Sequence, residues 1–336
     1  MGHVFVINLE NKGYATTFSS ASPARYLNRT LVPKGNLLTQ YYGTAHNSLP
    51  NYAAQISGQG PTTANQADCQ NFQDFVSSGA AVPPDQVVGQ GCVYPSSVKT
   101  LPDQLTAAGR TWKGYMEDMG NSATEPATCR HPAINAVDDT QKAKVGDQYA
   151  ARHNPFVYFH SIIDSPTCEA NDVPLTRLSN DLSTAGTTAN LTYITPNLCH
   201  DGHDTACVDG QPGGLVSADQ FLSTWVPKIQ ASPAFKKDGL LVVTFDESDS
   251  PQSDSSAGDG ETPGPNSPAP GFSGPGGGRV GAVVLGPSVK PGSSTATSYN
   301  HYALLGSIED LFGLPHLGFA ATIPNRFGRD VYTASR

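Results

Sequence analysis

Long apolar runs are missing from this sequence. No stretch approaches the roughly 20 residues that cross a bilayer, so no transmembrane segment is expected. Positive charge is also short. Lys and Arg number 20 against 29 Asp and Glu, a net charge of −9. That balance argues against nucleic acid or an anionic membrane as the main partner. Charge of either sign is sparse, at 15% of 336 residues, while Gly and Pro reach 34 and 27. The chain therefore reads as globular and loop-rich, not disordered. Gly-x-Ser-x-Gly is absent, which excludes the nucleophile elbow of an α/β-hydrolase. No internal repeat is found. Met1 to Val6 fails the myristoylation pattern, which needs Ser or Thr at the sixth position. No signal peptide is visible. The chain opens almost at once on an apolar strand, so a leader is expected to have been removed.

Cysteine is present but never as C-x-x-C, and never at zinc-ribbon spacing. The six are Cys69, Cys92, Cys129, Cys168, Cys199 and Cys207, each in a polar, loop-like setting. An even count in loops favours disulfides and an exported protein. Pairing nearest neighbours predicts bridges 69–92, 129–168 and 199–207. The length suits one domain over residues 1–336, with a Ser, Pro and Gly-rich loop at 248–279.

The stretch from Thr44 to Gly58 organises the rest. Pro50 suits a first helical position, where its missing N–H costs nothing. Leu49, Ala53 and Ile56 recur at helical spacing, and Gly58 can end the helix. Ser48 then lies at the helix N-terminus, where free N–H groups favour a negative charge. A serine there is either a simple cap or a nucleophile for group transfer.

Apolar strands are expected at His3–Leu9, from Gly35 to Tyr42, and from Thr111 to Met116. Others are expected at Phe156–Phe159, Leu191–Thr195, Leu240–Phe245 and Val280–Leu285. Helices are expected after Thr100, over Leu175–Leu182, over Val216–Ile229 with Ser217 as cap, and over His301–Phe312. Alternation of the two predicts an α/β fold, a three-layer αβα sandwich on a mostly parallel sheet. Polar residues follow several strand ends: Glu10-Asn11, Glu117-Asp118, Asn197 to Asp204, and Asp246-Glu247. Open α/β sheets bind ligands at that edge. Imidazole and carboxylate packed as closely as His200-Asp201-Gly202-His203-Asp204 suit metal ligands.

These motifs, with His46-Asn47-Ser48-Leu49-Pro50-Asn51-Tyr52 and His301-Tyr302, appear in an order that resembles one family. It is the phosphoesterase family of bacterial phospholipases C and acid phosphatases, within the alkaline phosphatase superfamily. The resemblance implies that Ser48 attacks phosphorus and that Asn51 holds a phosphoryl oxygen. It implies one metal at Glu10, Asp246, Glu247 and Ser48 Oγ, and a second at Asp201, His203 and His301. Asn11 and His46 become candidates for the phosphate shell. One or two divalent ions (Zn, Ca, Mn or Mg) would be the cofactors. Sulfatases carry Cys/Ser-x-Pro-x-Arg, but here Tyr52 stands where that Arg would be. The expected protein is a secreted, metal-dependent acid phosphatase acting through a phosphoserine. A phospholipase C-like diesterase and an inactive binding module of the same fold are the alternatives. The expected partner is a phosphate-ester small molecule or a phospholipid headgroup.

Overall fold

The Val-Phe-Val-Ile run near the N-terminus has no polar face, so its strand needs cover on both sides. In the computed structural model, which describes residues 1–249, 263–272 and 276–333, that strand is β1, His3–Leu9, and all seven of its residues are buried. The other strands of its sheet are β2 (Asn36–Leu38), β3 (Trp112–Met116), β4 (Asp172–Pro174), β5 (Leu191–Thr195), β6 (Gly239–Phe245), β7 (Ala282–Leu285) and β8 (Ser293–Thr295). The order across the eight strands is β8-β2-β7-β6-β1-β5-β3-β4. β1 runs parallel to β5 and β6, with Ile7 opposite Ile194 and Val243. Only β7 is antiparallel to its neighbours. Parallel neighbours send their carboxyl ends to one edge, which brings Glu10, Glu117, the segment after Thr195, and Asp246-Glu247 to the same rim.

Four longer helices matter: α1 (Ser48–Ser57), α2 (Leu101–Ala107), α3 (Gly214–Ala231) and α4 (His301–Phe312). The period of two in β1 shows that both faces are covered. Asn8 accepts from Gln55 of α1 at 3.0 Å, and Tyr193 of β5 donates to the same Gln55 at 2.8 Å. Phe5, of opposite parity to Asn8, packs on Phe235 of the Pro233–Asp238 helix at 6.0 Å. The αβα sandwich is thus observed. Thr100 and Asp103 make a reciprocal capping box at the start of α2. The Cβ that any other residue would carry at Gly58 would lie 2.3 Å from Leu317 O, and φ there is +68°. That explains the glycine that ends α1.

Three local expectations are corrected. Phe156–Phe159 is not a strand; Pro155–Tyr158 is a 3-10 turn, with Asn154 Oδ1 accepting from the Phe156 N–H at 3.2 Å. The edge strand is β4 instead. The Gly35–Tyr42 strand divides: β2 joins the main sheet, while Tyr41–Tyr42 pairs with Tyr299–Asn300. Ser217 is not a cap. α3 begins at Gly214, and Ser217 Oγ accepts from the Gly213 N–H at 3.0 Å from inside the helix.

All three predicted bridges are present, Cys69–Cys92, Cys129–Cys168 and Cys199–Cys207. Each is expected to contribute about 2–4 kcal/mol. Thiol titration of the unfolded, unreduced protein should find almost no free thiol; a count near six would overturn the bridges. Half of the expected 248–279 loop, residues 250–262 and 273–275, lies outside the described residues.

Glu309 of α4 gives a stability prediction. It is fully buried, and burial first of all pushes its carboxyl up to about 8. Glu309 Oε2 and Gln104 Oε1 are buried without partners, and Gln104 lies against the carboxyl. A raised folded pKa means this contribution is complete below the unfolded value near 4.3 and is lost as pH rises towards 8. Glu309→Gln should therefore leave stability at pH 4 nearly unchanged. At pH 8 it should raise stability by on the order of 3 kcal/mol. Denaturant melts at the two pH values check this; equal effects at both would refute it.

Candidate active site

The turn before α1 is fixed by Asn51. Its Oδ1 accepts from Thr44 N at 2.7 Å, Thr44 Oγ1 at 2.9 Å and Ala45 N at 3.1 Å. Its Nδ2 donates to Ala45 O at 2.7 Å and Asn47 O at 2.8 Å. Every hydrogen-bonding position of the amide is used. Asn47 is held at φ +70°, a conformation that persists for a non-glycine only where the surroundings impose it. Asn47, not Ser48, takes the N-cap position, with no side-chain cap bond. Ser48 is the first helical residue, and Asp68 Oδ1 accepts from the next N–H, that of Leu49, at 3.0 Å.

Ser48 Oγ donates to Glu10 Oε2 at 2.7 Å. Tyr52, one turn along α1, donates to Glu10 Oε1. Asp246 lies against both Glu10 and Ser48, and its Oδ1 accepts from Asn11 N at 3.0 Å. Glu247 takes Asn11 Nδ2 at 3.2 Å and the ring of His46. Asp201 reaches Glu10 through His153, whose Nδ1 is 3.1 Å from Asp201 Oδ2 and whose Nε2 is 3.4 Å from Glu10 Oε2. The His153 ring stacks on Tyr52 at 5.6 Å, nearly coplanar at 8°.

Burial dominates the electrostatics. It pushes Asp201 to about 7, Asp246 to about 6 and Glu247 to about 7. Glu10 is raised well above the carboxylate range, first by burial and then by the charges of Asp246 and Asp201. Buried carboxylates this close need a counter-charge. Two buried atoms here, Asp246 Oδ2 and His153 Nε2, make no hydrogen bond, and His153 Nε2 has only the ion-pair contact with Glu10. Carboxylate oxygens and an imidazole are donor types that suit a divalent cation.

The structure brings Glu10, Asn11, His46, Ser48, Asp201, Asp246 and Glu247 together. It does not assemble Asp201, His203 and His301 as one ligand set. His301 Nε2 meets the backbone oxygen of Asp246 at 2.5 Å, and its Nδ1 meets Tyr41 OH at 3.1 Å. Burial lowers His301 to about 4, so the ring is neutral. It braces the Asp246 backbone. His203 donates its backbone N–H to Asp201 Oδ1 at 2.7 Å, but its ring turns to Asp204 and Arg152. Asn51 does not offer a free donor to a phosphoryl oxygen, since the turn uses the whole amide. Glu117 and Asp118 reach the rim but pair with His200 and Asn197. Sequence reasoning missed His153 and Tyr52. The only signal for His153 was a polar Arg152-His153-Asn154 trio running into an apolar segment.

In fold, the chain is similar to solved proteins of the alkaline phosphatase superfamily. A solved alkaline phosphatase superfamily protein from Vibrio parahaemolyticus covers 98% of this chain and 71% of its own, with TM-score 0.52 and 12% identity. The lipoteichoic acid synthase of Listeria monocytogenes covers 95% of this chain and 74% of its own, with TM-score 0.54 and 10% identity. At such identities the likeness is one of fold.

In sequence, the Phosphoesterase family matches residues 24–315, and the chain belongs to that family. A probable acid phosphatase of Kluyveromyces lactis is 25% identical over 317 residues, 94% of this chain and 59% of the relative. The phosphate-repressible acid phosphatase of Penicillium chrysogenum is 27% identical over 303 residues, 90% of this chain and 58% of the relative. A phosphatidylinositol-3-phosphatase of Mycobacterium tuberculosis is 24% identical over 323 residues, 96% of this chain and 80% of the relative. The chain thus spans about three-fifths of the length of these two fungal relatives.

Proposed function

We propose that this chain hydrolyses phosphoric monoesters, as an acid phosphatase, through a phosphoserine at Ser48. The observation that carries the reading is the 2.7 Å hydrogen bond from Ser48 Oγ to Glu10 Oε2 at the head of a buried helix. Glu10, which accepts that bond, would take the hydroxyl proton. The Oγ–P bond forms as the bond from phosphorus to the leaving oxygen breaks, and water later releases phosphate from the serine. Tyr52 and His153 fix the orientation of the Glu10 carboxylate. Asn51 acts on the reaction by holding the turn that aims Ser48, and so is a positioning residue. His46 and Asn11 hold Glu247 and Asp246 in place.

Glu10, Asp246 and Glu247 would hold a divalent cation, and His153 links Glu10 of that set to Asp201. Such an ion, when bound, lowers the pKa of a nearby hydroxyl and offsets charge on phosphoryl oxygens. The oxygen-rich donor set suits a hard cation better than thiolate-type zinc ligation would. The three disulfides support export to an oxidising compartment.

Initial rates on p-nitrophenyl phosphate and p-nitrophenylphosphorylcholine, with and without EDTA, test the reading. The monoester should be turned over faster, and only without chelator. Faster diester turnover would support a phospholipase C-type activity instead. No turnover of either substrate in any divalent metal would indicate an inactive binding module.

A further inference from the structure

We propose that Arg152 is the phosphate-binding residue that selects monoesters over diesters at this site; the proposal rests on the hydrolase reading above. Two arginines, Arg130 and Arg152, are buried to similar degrees, at 3% and 4% exposure. Their partners differ. Arg130 makes a two-pronged pair with Asp147, at 2.9 and 2.8 Å. Arg152 has no such partner. Its Nε is 3.9 Å from Asp68 Oδ2, beyond hydrogen-bond reach. One Nη donates to the Gln141 backbone oxygen at 3.0 Å, and the other stands 3.5 Å from His203 Nε2. A buried guanidinium is costly unless an anion pairs with it. Here its fork meets one neutral carbonyl, a loose carboxylate contact and an imidazole.

The place of this group gives the ligand. On one side, Asp68 links it to the Leu49 N–H beside Ser48. On the other, His203 links it to Asp201, which lies one imidazole from Glu10. Arg152 is therefore one side chain, Asp68, from the serine turn and one residue, His203, from Asp201. A planar fork matches two non-bridging phosphoryl oxygens. A monoester dianion carries one more negative charge than a diester, so an arginine here favours the monoester more. Asp68 sets the angle of approach, and the incoming phosphate completes the pairing that Asp68 leaves loose.

Arg152→Gln should lower kcat/KM on p-nitrophenyl phosphate by about 100-fold, the scale of lost charge-assisted hydrogen bonds. On p-nitrophenylphosphorylcholine the loss should stay within about fivefold, because that substrate lacks the second charge. The inhibition constant of inorganic phosphate should rise in step with the monoester loss, while metal content is unchanged. Arg152→Lys keeps charge but not the fork; it should recover part of the monoester preference, and it serves the comparison if the Gln variant does not fold. Equal losses on both substrates, or an unchanged phosphate inhibition constant, would overturn the proposal and leave Arg152 a structural residue. If the wild-type protein hydrolyses neither ester, the hydrolase reading fails and this inference fails with it. If the wild type turns over the monoester and the ratio does not move, only this inference fails.

Discussion

Ser48→Ala should remove at least about 10³-fold of the turnover on a phosphate monoester, the scale for loss of a covalent nucleophile. Folding should survive. Ser48 is the first residue of a ten-residue helix whose turn is held by Asn51, not by the serine side chain. Alanine is a good helix former at that place. The lost hydrogen bond to Glu10 leaves that carboxylate its contacts with Tyr52 and His153. The expected signature is thus a large fall in kcat with thermal midpoint and metal content near wild type. Asn51→Ala should do the opposite in kind. It removes the acceptor of three donors and the donor of two bonds in a buried turn. It should lower both stability and rate, because the aim of Ser48 goes with the turn.

The second large effect concerns Asp246. Asp246→Asn should cut turnover by on the order of 10²–10³-fold and reduce bound metal measured by elemental analysis. Chelation of the wild type should abolish activity, and a divalent metal should restore it. One further result separates this account from simple damage. Glu10, Asp201, Asp246 and Glu247 are all buried and raised in pKa mainly by burial. Taking one charge out should relieve the metal-free protein. The chelated Asp246→Asn variant should melt about 2–4 °C above the chelated wild type, while keeping the Asn11 N–H contact through its amide oxygen. An inactive variant that melts lower with metal removed would speak against an electrostatic cost at this cluster. So would full activity of the wild type after exhaustive chelation.

Much of this was readable in the sequence because two kinds of signal were strong. The unbroken apolar runs of β1 and β6 demand burial on both faces, and their acidic ends mark the rim of a parallel sheet. Gly58 marks the end of α1, whereas the helix starts at Ser48, two residues before the Pro50 expected to open it. Shorter elements were less legible. Phe156–Phe159 and a buried strand share one composition, and a four-residue apolar run does not separate them. Asn154 and Pro155 decided it by starting a 3-10 turn. The Asp172–Pro174 edge strand has no pattern of its own and exists through pairing with β3.

The site shows the same division. Residues that follow strands were found, since topology alone gathers them. His153 was missed because it comes from a short turn after no strand and reaches Glu10 only through the tertiary fold. Asn51 was placed correctly in space, but spacing says nothing about which groups its amide would meet. His301 is a metal ligand only by the family resemblance; its place before a helix suits a cap or surface histidine as well. The structure gives both of its ring nitrogens to Asp246 O and Tyr41 OH.

The central claim is that Ser48 carries the phosphoryl group between substrate and water. It is tested most directly by quenching steady-state turnover of a phosphate monoester in acid and mapping the digested protein by mass spectrometry. The account predicts one added phosphate on the peptide containing Ser48, assigned to that serine by fragmentation and absent from Ser48→Ala. A phosphate found on His46 or His153 would contradict it. So would rapid turnover with no trapped phosphoprotein in the wild type and an undiminished rate in the variant.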